Sequence, residues 1–142
     1  MSNTSRRALQ IVSAVLGVVP VVTGLIGLRG VNDPLYAPVN SPHVVLLDTN
    51  LRFFSGLWLG LGLALLWLIP SIERQTVPFR MIWGAIFVGG IGRVLSIVLA
   101  GTPPAPFLFF TLLEILGAPL FVFWQHRVAQ MASSVSRPEG LT

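Results

Sequence analysis

Between Met81 and Ala100 the chain runs for twenty residues with one charge, Arg93, set in Gly89-Gly90-Ile91-Gly92-Arg93-Val94-Leu95-Ser96. At 1.5 Å rise per residue, a helix of about 20 residues crosses the hydrocarbon core of a bilayer. An arginine inside such a span costs roughly 2.5–3.5 kcal/mol on insertion scales and more in simulations. Something must compensate it. The glycines beside it point to a second helix packed closely enough to do so. The candidate partner is Glu114, the only acid inside an apolar run.

Composition makes the membrane the only solvent that fits. The chain is 54% hydrophobic and 10% charged, with mean hydropathy +0.81, where a soluble domain carries about 25% charged residues. The net charge of +4 comes wholly from arginine, since there is no lysine. In a membrane protein that charge reads as a topology signal, and no aromatic-interleaved basic patch supports nucleic-acid binding. The absence of cysteine removes disulfides, thiol catalysis and iron–sulfur ligation. The two histidines, His43 in a loop and His126 at the end of the last span, fall on opposite faces and cannot jointly hold a haem or a metal. No cofactor and no metal are expected.

Four apolar runs give the expected spans, at about 8–28, 48–70, 79–100 and 107–127, in one membrane domain covering 1–142 with a disordered tail at 128–142. The fold class is an all-α membrane protein, a four-transmembrane-helix bundle. Ser5-Arg6-Arg7 precedes the first run, which is too long for a signal h-region and lacks a small-x-small ending, so it reads as a membrane helix. Residues 29–44 hold three prolines and two asparagines and form a loop; it is either a solvated connector or a lid carrying Tyr36 and His43. The second span opens with Leu47-Asp48-Thr49-Asn50-Leu51-Arg52. Asp48 or Thr49 is placed to cap its first turn, and Asp48 and Arg52, four apart, share a face. Gly56 and Gly60 form a GxxxG pair expected to turn inward. In the third span Ala85, Gly89, Arg93, Ser96 and Ala100 form one small-residue stripe. Trp67, Trp83 and Trp124 suit an interfacial belt. Phe53-Phe54-Ser55 and Phe109-Phe110-Thr111 echo one another, so a parallel duplication of a helical pair stands beside chance recurrence of phenylalanine pairs.

Depth links the charges. Arg93 lies eight residues before Gly101 and Glu114 eight after Pro106, so each is roughly 12 Å below that boundary. Arg52 enters from the same side, about 6 Å below Asp48. The embedded charges sum to zero and occupy one half of the bilayer. Either they form a structural polar core, or they line a cavity in which Asp48, Asn50, Arg52 and Arg93 bind a polar or anionic head group. Glu114 is then the catalytic candidate, a proton donor or acceptor.

Leu47-Asp48-Thr49-Asn50-Leu51-Arg52-Phe53-Phe54-Ser55-Gly56, Gly89-Gly90-Ile91-Gly92-Arg93, Gly101-Thr102-Pro103 and Leu113-Glu114 together resemble a small bacterial four-helix membrane family catalogued as a domain of unknown function. That family is broadly similar to DoxX-like proteins. The resemblance covers about Gln10 to Arg127. It implies a four-helix membrane bundle, singles out Asp48, Asn50, Arg52, Arg93 and Glu114, and supplies no reaction.

Three functions compete. The first is binding or converting a small lipophilic or amphiphilic molecule, with acid–base chemistry at Glu114 if it is an enzyme. The second is a non-enzymatic accessory subunit that packs against a second copy or a membrane partner through its glycine-rich faces. The third, proton-coupled transport, ranks last because the charges occupy only one half of the membrane. Beyond such partners only the lipid bilayer itself is expected.

Arg6, Arg7, Arg74, Arg80, Arg127 and Arg137 fall on the side of the N-terminus, and only Arg29 lies in a loop opposite. Positive-inside bias then puts both termini in the cytoplasm of a bacterial inner-membrane protein. Because the chain has no cysteine, a Ser2→Cys variant reports this cleanly. A membrane-impermeant thiol reagent should label it only after lysis, and labelling in intact cells would reverse the topology.

Overall fold

The computed structural model describes residues 2–35 and 44–135, and their regular secondary structure is helical. It comprises α1 (Ser2–Gly27), α2 (Val45–Leu68), α3 (Thr76–Ala100), α4 (Ala105–Leu112) and α5 (Ala118–Val135). A single π turn, Leu113–Gly117, joins α4 to α5. Among the described residues, four helices are long and apolar enough to cross a membrane: Thr4–Gly27, Val45–Ser71, Thr76–Ala100 and Ala105–Ser134. The fold class is the expected one, an all-α multi-pass membrane protein. Tyr36 and His43, and with them the central part of the expected lid at 36–43, lie outside the described residues.

The contacts divide the chain into two compact units, Gln10–Ile69 and Met1–Leu9 with Pro70–Thr142. In the first, α1 and α2 run antiparallel and touch through small residues. A Cβ on Gly24 would stand 2.8 Å from Leu59 N, and one on Gly62 would stand 2.9 Å from both the Gly17 carbonyl oxygen and Pro20 Cγ. Without a hydrophobic drive between helices in lipid, such close approach is what generates packing contact. Pro20 lies inside α1 and buries its ring in this seam. Trp58 Nε1 donates to Thr23 Oγ1 at 2.9 Å, and Gln10 Nε2 donates to the Ile69 carbonyl at 2.8 Å.

The contact face of α2 is therefore Ser55, Leu59, Gly62 and Leu66, at helical intervals of four, three and four. Gly56 and Gly60 have nothing within 4 Å of where a Cβ would stand, so the expected inward GxxxG is corrected. The helix also starts earlier than expected. Val45 to Leu47 join it, Asp48 falls in its fourth position, and the N-cap residue is Val44, which makes no side-chain capping hydrogen bond. Thr49 instead returns its hydroxyl to the Val45 carbonyl at 2.8 Å.

In the second unit α3 runs antiparallel to α4 and α5. Its buried face is Phe79, Ile82, Trp83, Ile86 and Gly90, which displaces the expected stripe, since Ala85, Gly89, Ser96 and Ala100 are exposed. Trp83 is a core residue and not an interfacial one: it is 3% exposed and stacks on Phe121, with centroids 4.5 Å apart. Phe79 lies against Trp83 with the rings tilted, centroids 6.1 Å apart, and Trp124 stacks on Phe121. The start of α1 belongs here too. Arg6 Nε is 2.9 Å from Glu73 Oε2, and Trp124 Nε1 donates to Ser5 Oγ at 3.0 Å. Gly101 ends α3 at φ +106°, a conformation side chains disfavour. The last helix continues past the expected end at Arg127 to Val135, because Val128 is still buried at 4% exposure.

The seam between α1 and α2 gives a direct test. Gly24→Ala forces the Leu59 backbone to move, and overpacking of this kind costs about 1–3 kcal/mol. Gly56→Ala meets open space and replaces a helical glycine, which gains up to about 1 kcal/mol in a helix interior. Thermal unfolding in detergent should rank Gly24→Ala below wild type and Gly56→Ala at or above it. Equal losses would mean that the seam lies elsewhere.

Candidate functional site

Glu114 owes its position to a proline five residues on. Pro119 has no N–H to offer the Ile115 carbonyl, and its ring crowds that carbonyl, so the preceding turn cannot stay regular. The chain widens into the π turn Leu113–Gly117, an arrangement that recurs at functional sites. The turn buries Glu114, whose side chain is 8% exposed. Gly90 on α3 makes room for it: a Cβ there would stand 2.8 Å from Glu114 Cβ.

One turn further along α3, Arg93 reaches the carboxylate. Its Nε donates to Glu114 Oε1 at 3.2 Å and lies 2.9 Å from Oε2. The guanidinium carbon sits 5.9 Å from the Phe107 ring centroid. Only Nε serves the pair; Nη1 and Nη2 hydrogen-bond to nothing among the described residues, and the side chain is 39% exposed. Arg93 thus keeps its charge balanced while presenting the outer edge of its fork, the edge that grips carboxylates and phosphates.

Arg52 is the opposite case. Its Nε donates to Asp48 Oδ2 at 2.6 Å and its Nη2 to Asp48 Oδ1 at 3.3 Å. Nη1 donates to the Leu28 carbonyl at 2.6 Å and Nη2 to the Arg29 carbonyl at 3.1 Å. Those carbonyls follow the end of α1, past its regular hydrogen-bond ladder; that of Arg29 also accepts the Asn32 N–H at 3.3 Å. Asp48 Oδ1 also accepts the Val31 N–H at 3.0 Å. Gly30 sits under the pair at φ +64°, and any Cβ there would run into the Asp48 carboxylate. Asp48 and Arg52 therefore clamp the end of α1 to the start of α2.

Each of the four embedded charges pairs within its own unit, Asp48 with Arg52 and Arg93 with Glu114. Asn50 is exposed on α2 and makes no side-chain hydrogen bond among the described residues. Two polar features escape sequence reasoning. The π turn is one, although Pro119 signals it. The other is Gln125, fully buried, which donates to the Ile72 carbonyl at 2.9 Å and to Thr76 Oγ1 at 3.1 Å. Its signal is an amide directly after the apolar run Leu120–Trp124.

Residues 8–125 match the family model described as Domain of unknown function (DUF4345). No curated protein and no solved structure matches the chain.

Breaking the deep pair should be asymmetric. Arg93→Leu strands a buried carboxylate and should cost about 3 kcal/mol. Glu114→Leu leaves a part-exposed guanidinium and should cost less. The double variant should lose less than the sum of the two, because neither charge is then stranded. Denaturation of all four proteins in one detergent measures this, and strict additivity would show that the two residues do not interact.

Proposed function

From the premise that the chain belongs to the family Domain of unknown function (DUF4345), we propose that Arg93 and Glu114 hold the polar head of a small lipophilic or amphiphilic molecule. The observation that carries this is the free fork of Arg93. A guanidinium that pairs through Nε alone still has four N–H donors on Nη1 and Nη2. At membrane depth those donors face either hydrocarbon, at a cost of several kcal/mol per unsatisfied group, or a polar ligand. A carboxylate, phosphate or polarised carbonyl there gains charge-assisted hydrogen bonds in a poorly screened setting.

In this role Glu114 fixes the direction of the fork and is the one group at the site able to take or give a proton. Arg52 and Asp48 act through the connection between α1 and α2, because all three guanidinium nitrogens of Arg52 are already engaged. The arginine asymmetry supports both termini on the cytoplasmic side of a bacterial inner membrane. Arg93, roughly 12 Å from the Gly101 end of its helix, then falls in the outer half of the bilayer.

A second function, that of an accessory subunit, is favoured by the open glycines of α3. Gly84, Gly89 and Gly92 have nothing within 4 Å of where a Cβ would stand, a surface suited to close approach by another helix.

Native mass spectrometry of the detergent-extracted protein separates the two. The wild type should retain a small molecule that Arg93→Lys, which keeps the charge but not the fork, retains at least about tenfold less, in keeping with the weaker planar recognition of lysine. Glu114→Gln should keep partial binding while abolishing any proton-transfer chemistry. A wild-type protein that carries no small molecule but comes out with a stoichiometric protein partner would replace ligand binding with the accessory role.

A further inference from the structure

A second group of basic side chains lies at the opposite end of α3 and α5, away from Arg93 and independent of it. Arg80 on α3 brings Nη2 to 3.3 Å from His126 Nδ1 on α5. For Arg80 to donate there, Nδ1 must be unprotonated, which puts the ring hydrogen on Nε2 as a further donor. Arg127, the next residue on α5, holds its guanidinium carbon 5.0 Å from the Phe123 ring centroid. None of the described carboxylates pairs with Arg80 or Arg127: Glu73 is taken by Arg6, Asp48 by Arg52 and Glu114 by Arg93, while Asp33 accepts the Leu35 N–H. Arg80 and the His126 ring are thus brought together across two neighbouring helices, Arg127 follows directly on α5, and neither arginine has an ion-pair partner among the described residues.

Their depth says what can balance them. Arg80 lies 21 residues before Gly101, and His126 lies 20 after Pro106. At helical rise both are about 30 Å from the opposite end of their membrane spans, Thr76–Ala100 and Ala105–Ser134, which is the thickness of the hydrocarbon core. They therefore sit level with the lipid phosphates of one leaflet. Beside and below them the helices present apolar side chains, Met81 at 70% and Phe123 at 56% exposure, a surface for acyl chains. Basic pockets between membrane helices are where anionic head groups bind.

We propose that Arg80, His126 and Arg127 form a binding site for the phosphate of an anionic phospholipid in the leaflet at the 72–75 end of α3. The arginines supply the charge, the His126 Nε2–H an oriented donor, and Phe123 fixes the Arg127 guanidinium at the rim. Phosphatidylcholine, whose phosphate is neutralised by its own choline, offers no net charge to this site.

The test uses the full chain reconstituted with phosphatidylcholine plus a minority of phosphatidylglycerol, extracted gently, and counted for retained lipid by native mass spectrometry. Wild type should retain phosphatidylglycerol in preference to phosphatidylcholine. Arg80→Gln and Arg127→Gln should each lower that retention about fivefold, the effect of one basic residue near the surface. Arg74→Gln removes the same charge from the adjoining connector and should leave it unchanged. Arg80→Lys, gentler on the fold, should fall between wild type and Arg80→Gln. The site is overturned if Arg74→Gln lowers retention as much as Arg80→Gln, since bulk charge then suffices, or if neither Arg80→Gln nor Arg127→Gln lowers it. Release of the lipid by inorganic phosphate alone would assign the site to a free anion and overturn the lipid.

Discussion

An arginine within a membrane span must be answered by the rest of the chain, and here the answer is the Arg93–Glu114 pair. Its 2.9 Å approach depends on features that make little sense separately. Gly90 gives up a side chain so that Glu114 can come close. Pro119 denies Ile115 a helical partner, and the π turn that results buries the acid. The desolvation of two charges offsets much of their mutual attraction, so the pair is a weak source of stability. Its value lies in geometry. Glu114 takes one nitrogen of the guanidinium and leaves the other two aimed elsewhere.

The contrast with Arg52 sharpens the point. Both arginines lie four residues or one helix away from a carboxylate, and both looked like ligand-binding groups in sequence. Arg52 has all three nitrogens committed, two carbonyls past the end of α1 among its acceptors. Arg93 has only one committed. Counting donors decides between a clamp and a receptor where counting charges does not.

The number and type of helices were legible because hydropathy over twenty residues averages away local detail. The Arg93–Glu114 and Asp48–Arg52 pairs were legible too, the first from matched depth and the second from i,i+4 spacing. Which glycines make contact was not. Gly56 and Gly60 carry a familiar spacing, yet Gly17, Gly24 and Gly62 form the seam, because the phase of a helix about its own axis is set by its partner. A chain that is apolar all round carries little amphipathic signal from which to read that phase. The same uncertainty placed Trp83 at an interface when it stacks inside on Phe121. The loop clamp on the Leu28 and Arg29 carbonyls was invisible for a different reason: backbone acceptors leave no mark in sequence.

A binding role for Arg93 requires that its fork be free while the Arg52 fork is occupied. Arginine-selective dicarbonyls attack the Nη pair, so their rate reports its engagement. The measurement is peptide mapping by mass spectrometry after brief treatment of detergent-purified, ligand-stripped protein with a lipophilic dicarbonyl. Arg93 should be modified well before Arg52, although Arg52 is the more exposed side chain, 48% against 39%. Modification of Arg52 first, with Arg93 protected in the stripped protein, would show that the deep guanidinium is closed off by the protein itself and would contradict a binding role for it.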